Sequence, residues 1–546
     1  MKHKKGGNES IKANTNYTDN VKMHRKLIYI LILLLIGIEA RAEYSFNVGA
    51  EVNLGAGSND FVPFYLHSNR HGKITQSKNA QIDIWAIDSL DSSKRFDFGW
   101  GIEALGGYAS KVDYMRWNKE NQEWTLNPQS PSPVWIQQLY AEVKWRSLFL
   151  SVGLKDRDSR FVDQDLSSGD LLWSGNSRAI PEARIGFVGF QNVPFTNGWV
   201  QIDAALSYGK FIDTGWINSH FDFYTGKRNP GPFWTYKYIS LRSKPSKPFS
   251  FHFGFQMATI FGGWTYKYYN GEIISEVNNY GGFKDFFYVL LPLDSHTHEG
   301  YKTGDHKGTW DVSARYNFKG GETLRAYTQW FWEDGTGLLK ENGWDGLWGL
   351  EFKLNRPWWI SGVVAEYLDL THMSGPLSYA PYYHNTGEAH LPYMVHGRDS
   401  YYTNFYYRDY VNYGLNMGTP MVQGTLFDTG VTKENPGKET DKLRPNNGWI
   451  HYFRVRAFHI AVEGNIGSNC DYIVKYNHRK AWGNTNSYTL INPIEADSFM
   501  AGTTYRLPWV PGLSVSAALG VDHGTIPSNA VGGMLTLTYQ RPILFK

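Results

Sequence analysis

Residues 94–104 read KRFDFGWGIEA, and their alternation is unbroken. Phe96, Phe98, Trp100, Ile102 and Ala104 fall on one face of an extended chain; Arg95, Asp97, Gly99, Gly101 and Glu103 fall on the other. Successive side chains of a strand point to opposite faces, so this segment has one apolar face and one polar or empty face. The pattern returns at 198–208, where Val200, Ile202, Ala204, Leu206 and Tyr208 oppose Gln201, Asp203 and Ser207. At 250–257, Phe251, Phe253, Phe255 and Met257 oppose Ser250, His252, Gly254 and Gln256. At 310–318, Val312, Ala314, Tyr316 and Phe318 oppose Asp311, Ser313, Arg315 and Asn317. Near the end, Leu535, Leu537 and Tyr539 oppose Thr536, Thr538 and Gln540. Further strand candidates lie at 45–57, 135–144, 147–154, 184–191, 233–241, 284–291, 322–332, 346–354, 359–369, 403–418, 449–464, 469–478, 494–507 and 512–521.

A soluble sandwich alternates too, so periodicity alone leaves two classes open. Composition separates them. Aromatics are 16% of the chain, with 36 Tyr and 21 Trp, and charged residues are only 19%, below the roughly 25% of a soluble domain. Rings with a polar handle suit the boundary between lipid and water. The 56 glycines fit a crowded interior where backbone and side chain approach closely. No apolar stretch beyond residue 42 is long enough for a membrane helix, which needs about 20 residues. The expected fold is therefore all-β: a transmembrane antiparallel β-barrel of about 18 strands, with about 16 as the alternative. Its lumen is expected to be filled by polar side chains and inward loops.

The first 42 residues are set apart as a signal region. Met23-His24-Arg25-Lys26 is a basic start, Leu27 to Ile38 is an apolar run, and Ala40-Arg41-Ala42 is a small-x-small cleavage site. Met23 stands as an alternative start. Residues 43–546 are then one barrel domain. The first 42 residues hold eight Lys/Arg and three Asp/Glu, so the formal +3 of the whole chain becomes −2 for the remainder. That balance gives no electrostatic reason to bind nucleic acid. Cys470 is the single cysteine, so no intrachain disulfide forms.

Polar stretches at 112–133, 371–402 and 421–447 read as long loops on the outer face, and 158–183 reads as a segment folded inward as a constriction. Several of these stretches carry recognisable motifs. The run Ser167-Ser168-Gly169-Asp170-Leu171-Leu172-Trp173-Ser174-Gly175-Asn176-Ser177-Arg178-Ala179-Ile180-Pro181 resembles the SGN.R.IP signature of the Wzi-like capsule assembly family. His67-Ser68-Asn69-Arg70-His71-Gly72, Trp330-Phe331-Trp332-Glu333-Asp334, Glu366-Tyr367-Leu368-Asp369 and Asn412-Tyr413-Gly414-Leu415-Asn416-Met417-Gly418-Thr419-Pro420 extend the likeness along the chain. The resemblance implies an eighteen-stranded outer-membrane lectin that holds exported capsular polysaccharide at the cell surface. The family pattern also includes an N-terminal helical bundle, whereas here a strand-like segment follows the cleavage site directly.

The chemistry-bearing residues divide into two sets. Arg157, Arg160, Arg178 and Arg184 sit among Asp156, Asp158, Asp163, Asp165 and Glu182, which reads as a lumen or plug network of charge-assisted pairs. Glu333, Asp334, Glu351, Glu366 and Asp369 belong to the same network, paired with Arg315, Arg325, Arg356, Arg454 and Arg456. The second set is ligand-binding. Asn176 and Arg178 suit sugar hydroxyls or an acidic sugar carboxylate. Trp264, Tyr266, Tyr268, Tyr401 and Tyr402 offer ring faces for sugars. A glycosidase would draw on two of the carboxylates across a cleft, but no spacing singles out a pair. His372, His384, His390 and His396 are irregularly spaced, so no metal or other cofactor is expected.

The reading is a non-enzymatic outer-membrane carbohydrate-binding protein that assembles or anchors capsular or other surface polysaccharide. Its partners are that polysaccharide, outer-membrane lipids and the polysaccharide export machinery, and the barrel is expected to be a monomer. An oligosaccharide porin is the first alternative, and a glycan or lipid hydrolase the second.

Overall fold

A computed structural model describes residues 44–545 except 222–223, 281, 292–303, 334–336, 341–343, 374–376, 380–394, 398, 405, 431–447, 485–487 and 527. The signal region, Asp334, His384 and His390 lie outside the described residues.

Eighteen antiparallel strands close into one barrel. In chain order they are β1 (Tyr44–Gly57), β2 (Asn79–Asp88), β3 (Phe96–Ala109), β4 (Val134–Trp145), β5 (Leu148–Leu154) and β6 (Glu182–Phe187). Then follow β7 (Val200–Lys210), β8 (Phe233–Ser243), β9 (Phe249–Phe261), β10 (Asp305–Asn317), β11 (Thr323–Glu333) and β12 (Gly346–Lys353). The last six are β13 (Gly362–Asp369), β14 (Val455–Ile466), β15 (Cys470–Asn484), β16 (Tyr488–Arg506), β17 (Leu513–Gly524) and β18 (Ala530–Phe545). Each strand pairs with its chain neighbours, and β1 closes on β18 from Tyr44↔Phe545 to Gly57↔Gly532. Closure pairs every edge, which is what lipid demands of backbone N–H and C=O groups.

The alternation read from the sequence sorts the two faces. Ile82, Ile84, Ile102, Leu139, Leu150 and Leu535 point outward and are exposed, while Asp83, Glu103, Glu142, Ser151 and Asp203 point inward and are buried. Outward Phe96, Trp145, Trp199, Phe249, Trp358 and Trp509 gather near the end with the short turns, as an aromatic girdle does. The surface is that of an outer-membrane barrel, with the short turns toward the periplasm and the long connections at the cell surface.

Register explains much of the glycine use. Gly49 faces Trp85, Gly101 faces Tyr140, Gly308 faces Trp332, and Gly349 faces Tyr327 across neighbouring strands. In each case the ring occupies the space a Cβ would take. Trp85, Tyr140 and Tyr327 thereby lie against the lumen wall, whereas Gly308 and Trp332 share the outward parity of Phe255.

Two expected strands are corrected. Residues 284–291 hold a short helix, Asp285–Tyr288; their apolar residues run consecutively and offer no polar face. Residues 403–418 lie in the barrel interior and form only the two-residue pair Val411–Asn412 with Leu415–Asn416. Tyr407, Arg408, Asp409, Tyr410, Val411 and Asn412 are all buried, so no face remains for lipid. In the other direction, β2 escaped the pattern because Ile84-Trp85-Ala86-Ile87 puts apolar residues on both faces. The loop expected at 112–133 carries a hairpin, Val112–Asn118 with Glu123–Gln129.

Candidate functional site

Three connections fold back into the barrel and pack on one another: residues 58–78, 155–181 and 399–428. Local chemistry shapes the second. Asp170 Oδ1 accepts the backbone N–H of Leu172 at 2.8 Å and of Trp173 at 3.1 Å, an Asx turn that closes the chain on itself. Ser159 Oγ accepts the N–H groups of Phe161 and Val162, both at 3.1 Å. Gly175 adopts φ +70, where a side chain would be strained.

Hydrogen bonds then knit the segments together. His71 N donates to Gly175 O at 2.7 Å, Asn176 Nδ2 to Asn416 O at 2.9 Å, and Ser174 Oγ to Gly418 O at 2.7 Å. Tyr402 and Tyr410 donate their hydroxyls to the carbonyls of Leu171 and Leu172 at 2.7 Å and 2.9 Å. The barrel wall holds this plug from outside. Glu366 of β13 accepts Ser167 Oγ and Ser168 N, each at 2.6 Å, and the Tyr327 hydroxyl. Gln329 of β11 accepts Leu171 N at 3.0 Å and donates to Asp170 at 3.0 Å. Buried groups arranged this way satisfy one another and fix a single conformation.

On the cell-surface side the plug leaves a cleft of about 270 Å3. Arg178 lies in it, its guanidinium 4.3 Å from the Trp135 ring centre and 4.6 Å from that of Tyr413. Among the described residues no carboxylate comes within 4.0 Å of it. Burial, eased by the Tyr413 hydroxyl and by Asp156, holds this guanidinium below its ordinary value, at about 10, so it stays charged at neutral pH. Tyr413 and Gly414 both have positive φ, +48 and +76, making the two-residue turn that swings the Tyr413 ring onto Arg178. The cleft is completed by Trp216, which stacks on His220 at 4.0 Å, and by Gln76, Ser132 and Ser219. A cation between ring faces with amides and hydroxyls around it can take a negatively charged, hydroxylated ligand.

The sequence reading placed Arg178 here but missed Trp135 of β4, Trp216 and His220 of the short helix Thr214–His220, and Tyr413 of the plug, three separate parts of the chain. The two-positive-φ turn at Tyr413-Gly414 is the signal the sequence offered. Asn176 lies beside the cleft but is buried, its amide spent on Asn416 and its oxygen 3.2 Å from Asn69 N. Tyr401 and Tyr402 are wholly buried within the plug, closed to any sugar face. Trp264, Tyr266 and Tyr268 stand on a hairpin, Trp264–Tyr269 with Glu272–Asn278, in the long connection beyond β9. Trp264 is exposed and Tyr266 and Tyr268 are half-buried, away from the cleft.

The charged network is present in altered pairings. Arg157 bonds Glu182 at 3.0 Å, Arg160 bonds Asp203, Arg325 bonds Glu351 at 3.4 Å, and Arg456 bonds Asp369 at 2.9 Å. Asp158 pairs with His71 at 3.1 Å rather than with an arginine. Glu333 pairs with Lys307 at 2.9 Å, and Glu366 serves the plug. Arg184 faces Phe149 and Tyr238. Asp345, Asp369 and His372 bring ligand atoms close together. Their lone pairs are already engaged: Asp345 accepts His372 N and Met373 N, and Asp369 accepts Arg456 and Thr371.

No family model matches the chain, and no curated protein does. Among solved structures it is similar to Wzi, an outer-membrane protein involved in group 1 capsule assembly in Escherichia coli and described as a carbohydrate-binding β-barrel. The identity is 10%, covering 90% of this chain and 83% of that one, with a TM-score of 0.49. It is also similar to OccAB2 of Acinetobacter baumannii, at 9% identity over 92% and 98% of the two chains, TM-score 0.43. OccK9 of Pseudomonas aeruginosa matches at 9% identity over 92% and 99%, TM-score 0.44. Likeness at this level concerns overall barrel shape and carries nothing about ligands.

Proposed function

We propose that this outer-membrane barrel is a non-enzymatic protein that binds surface polysaccharide at its extracellular mouth. The observation that supports it is Arg178, a guanidinium with no carboxylate within 4.0 Å among the described residues, held between Trp135 and Tyr413 over a cleft that opens toward the cell surface. The ring-bearing hairpin with exposed Trp264 stands in a cell-surface connection, beyond the reach of a membrane girdle. Leu171, Leu172, Tyr402, Asn416 and Val422 are packed without exposure inside the lumen, which favours holding a glycan over passing bulk solute. The motif likeness to the capsule assembly family fits retention of a capsular or other surface polysaccharide, handed over by export machinery at the periplasmic rim. The protein acts as a monomer in this reading.

Deleting the gene and comparing cell-bound with shed polysaccharide tests the proposal. Glycan shifts into the medium if the reading holds; unchanged retention of every surface glycan sinks it.

One observation favours a second reading, an oligosaccharide porin. A larger polar cavity lies beneath the plug along the same stretch of wall, lined by Lys155, Arg157 and Arg184. Planar-bilayer conductance separates the two. A holding barrel passes little current, and a porin conducts in a way that an oligosaccharide blocks.

A further inference from the structure

The cavity beneath the plug has a volume of about 510 Å3, within the roughly 300–1,000 Å3 of ligand sites. Ser89 and Leu90 of one short turn and Phe187 to Phe190 of another rim it, so it opens toward the periplasm. Trp173 and Arg157 of the plug form its roof.

Four cations line this space, and three are matched. Lys155 meets Glu142 at 2.8 Å, Arg157 meets Glu182 at 3.0 Å, and Arg160 meets Asp203. Asp158, the remaining carboxylate of the lining, is taken by His71. Arg184 is the fourth cation. It is only 7% exposed and hydrogen-bonds the Tyr238 side chain, but among the described residues its Nε has no partner and no carboxylate lies within 4.0 Å of it. Among the described residues His252 Nδ1, on the same cavity, also lacks a partner. A buried guanidinium without a counterion is costly and is normally paired. Phe149, inward-facing on β5, is half-buried and offers its ring to the same space.

We propose that this periplasm-facing cavity binds an acidic saccharide, with its carboxylate or sulfate on Arg184, a hydroxyl on His252 Nδ1, and a sugar face against Phe149. The site lies on the opposite side of the plug from the Arg178 cleft, so it stands whether or not that cleft binds glycan.

Trigalacturonate is the probe, titrated calorimetrically into the detergent-solubilised barrel, with maltotriose as the uncharged trimer and sodium sulfate as the bare anion. Arg184→Gln weakens trigalacturonate binding at this site at least tenfold, while Arg178→Gln leaves the site intact. Arg184→Lys, which keeps charge but loses the planar fork, falls between. Removing an uncompensated cation leaves the melting temperature unchanged or raised, whereas a purely structural arginine would lower it. Hydrogen exchange checks the location: trigalacturonate slows amides of residues 155–160 and 182–190. The proposal is overturned by undiminished binding to folded Arg184→Gln, by a lowered melting temperature in that variant, by maltotriose binding equally well, or by sulfate alone matching the trimer.

Discussion

Ser167 Oγ and the Glu366 carboxylate lie 2.6 Å apart, and this contact joins a segment inside the barrel to its wall across 199 residues of sequence. Ser168 N and the Tyr327 hydroxyl donate to the same carboxylate. Glu366→Gln turns half of that acceptor into a donor and leaves at least one plug donor unpaired. Each orphaned donor costs about 1–3 kcal/mol. The plug loosens while the barrel stays closed. The variant therefore shows raised single-channel conductance and faster tryptic cleavage within residues 155–181, at an unchanged heat-modified migration on gels. A variant as quiet and as protease-resistant as the parent would remove Glu366 as the anchor.

The lipid-facing row makes a separate prediction. Leu535 of β18 is 49% exposed on the outer face, opposite Leu54 of β1. Leu535→Arg places a guanidinium in hydrocarbon and costs up to about 2–4 kcal/mol of unfolding free energy in liposomes, depending on depth. Thr536→Arg, on the inward face, lacks that penalty from lipid. Denaturant titration of both variants in the same vesicles gives the comparison.

Gly308 and Trp332 are register partners on β10 and β11, with the ring where a Cβ would project. Trp332 also stacks on Phe255 at 5.5 Å. Gly308→Ala overpacks a buried wall and costs about 1–3 kcal/mol. Pairing it with Trp332→Leu frees the space and recovers part of the loss, a non-additivity read from a double-mutant cycle.

The outward and inward faces of the strands were legible because lipid and a polar lumen enforce opposite chemistry on alternate residues. Phe96 to Glu103 declares that rule without error. Residues 403–418 broke it because a buried plug selects apolar and polar residues alike, and Tyr407, Arg408 and Asp409 are all enclosed. The motif around Arg178 was visible, but its surroundings were not. Trp135 of β4, Trp216 of the helix Thr214–His220 and Tyr413 of the plug reach it from three distant parts of the chain, and no local period encodes their meeting. Tyr401 and Tyr402 looked like ligand rings because sequence does not distinguish a ring that packs from one that waits for a sugar.

Acid should loosen the cell-surface cleft. His220 is buried, stacks on Trp216, and donates Nδ1–H to Trp216 O at 2.8 Å. Burial pulls its ionisation down to about 4, against the pull of that carbonyl. The unfolded chain takes up this proton near 6.5, so stability falls as pH drops from about 6.5 and levels off below about 4. The loss is at most about 3 kcal/mol. His71 runs the other way. Burial lowers its ionisation, but Asp156 and Asp158 outweigh that and hold it above the ordinary value. Its contribution is complete in acid and fades as pH rises through that raised value. Proteolysis of residues 211–232 therefore accelerates between pH 7 and 4.5 in the parent and not in His220→Gln, while His71→Gln leaves the acid response intact.

Arg178 carries the proposed extracellular site, and its replacement separates charge from shape. Its guanidinium carbon lies 4.3 Å and 4.6 Å from the two ring centres, and a planar guanidinium carries its N–H donors as a fork. Arg178→Lys keeps the charge but loses both stacking and the bidentate edge, and binding of an acidic surface glycan to whole cells weakens about tenfold. Arg178→Gln removes the charge as well and weakens it further, and the salt dependence of binding flattens because the cation that salt would screen is gone. Tyr413→Ala removes one ring and lets the side chain swing, so it lowers affinity without flattening the salt response. If Arg178→Gln and Tyr413→Ala gave the same salt dependence, charge recognition at this cleft would be refuted and the rings alone would hold the glycan.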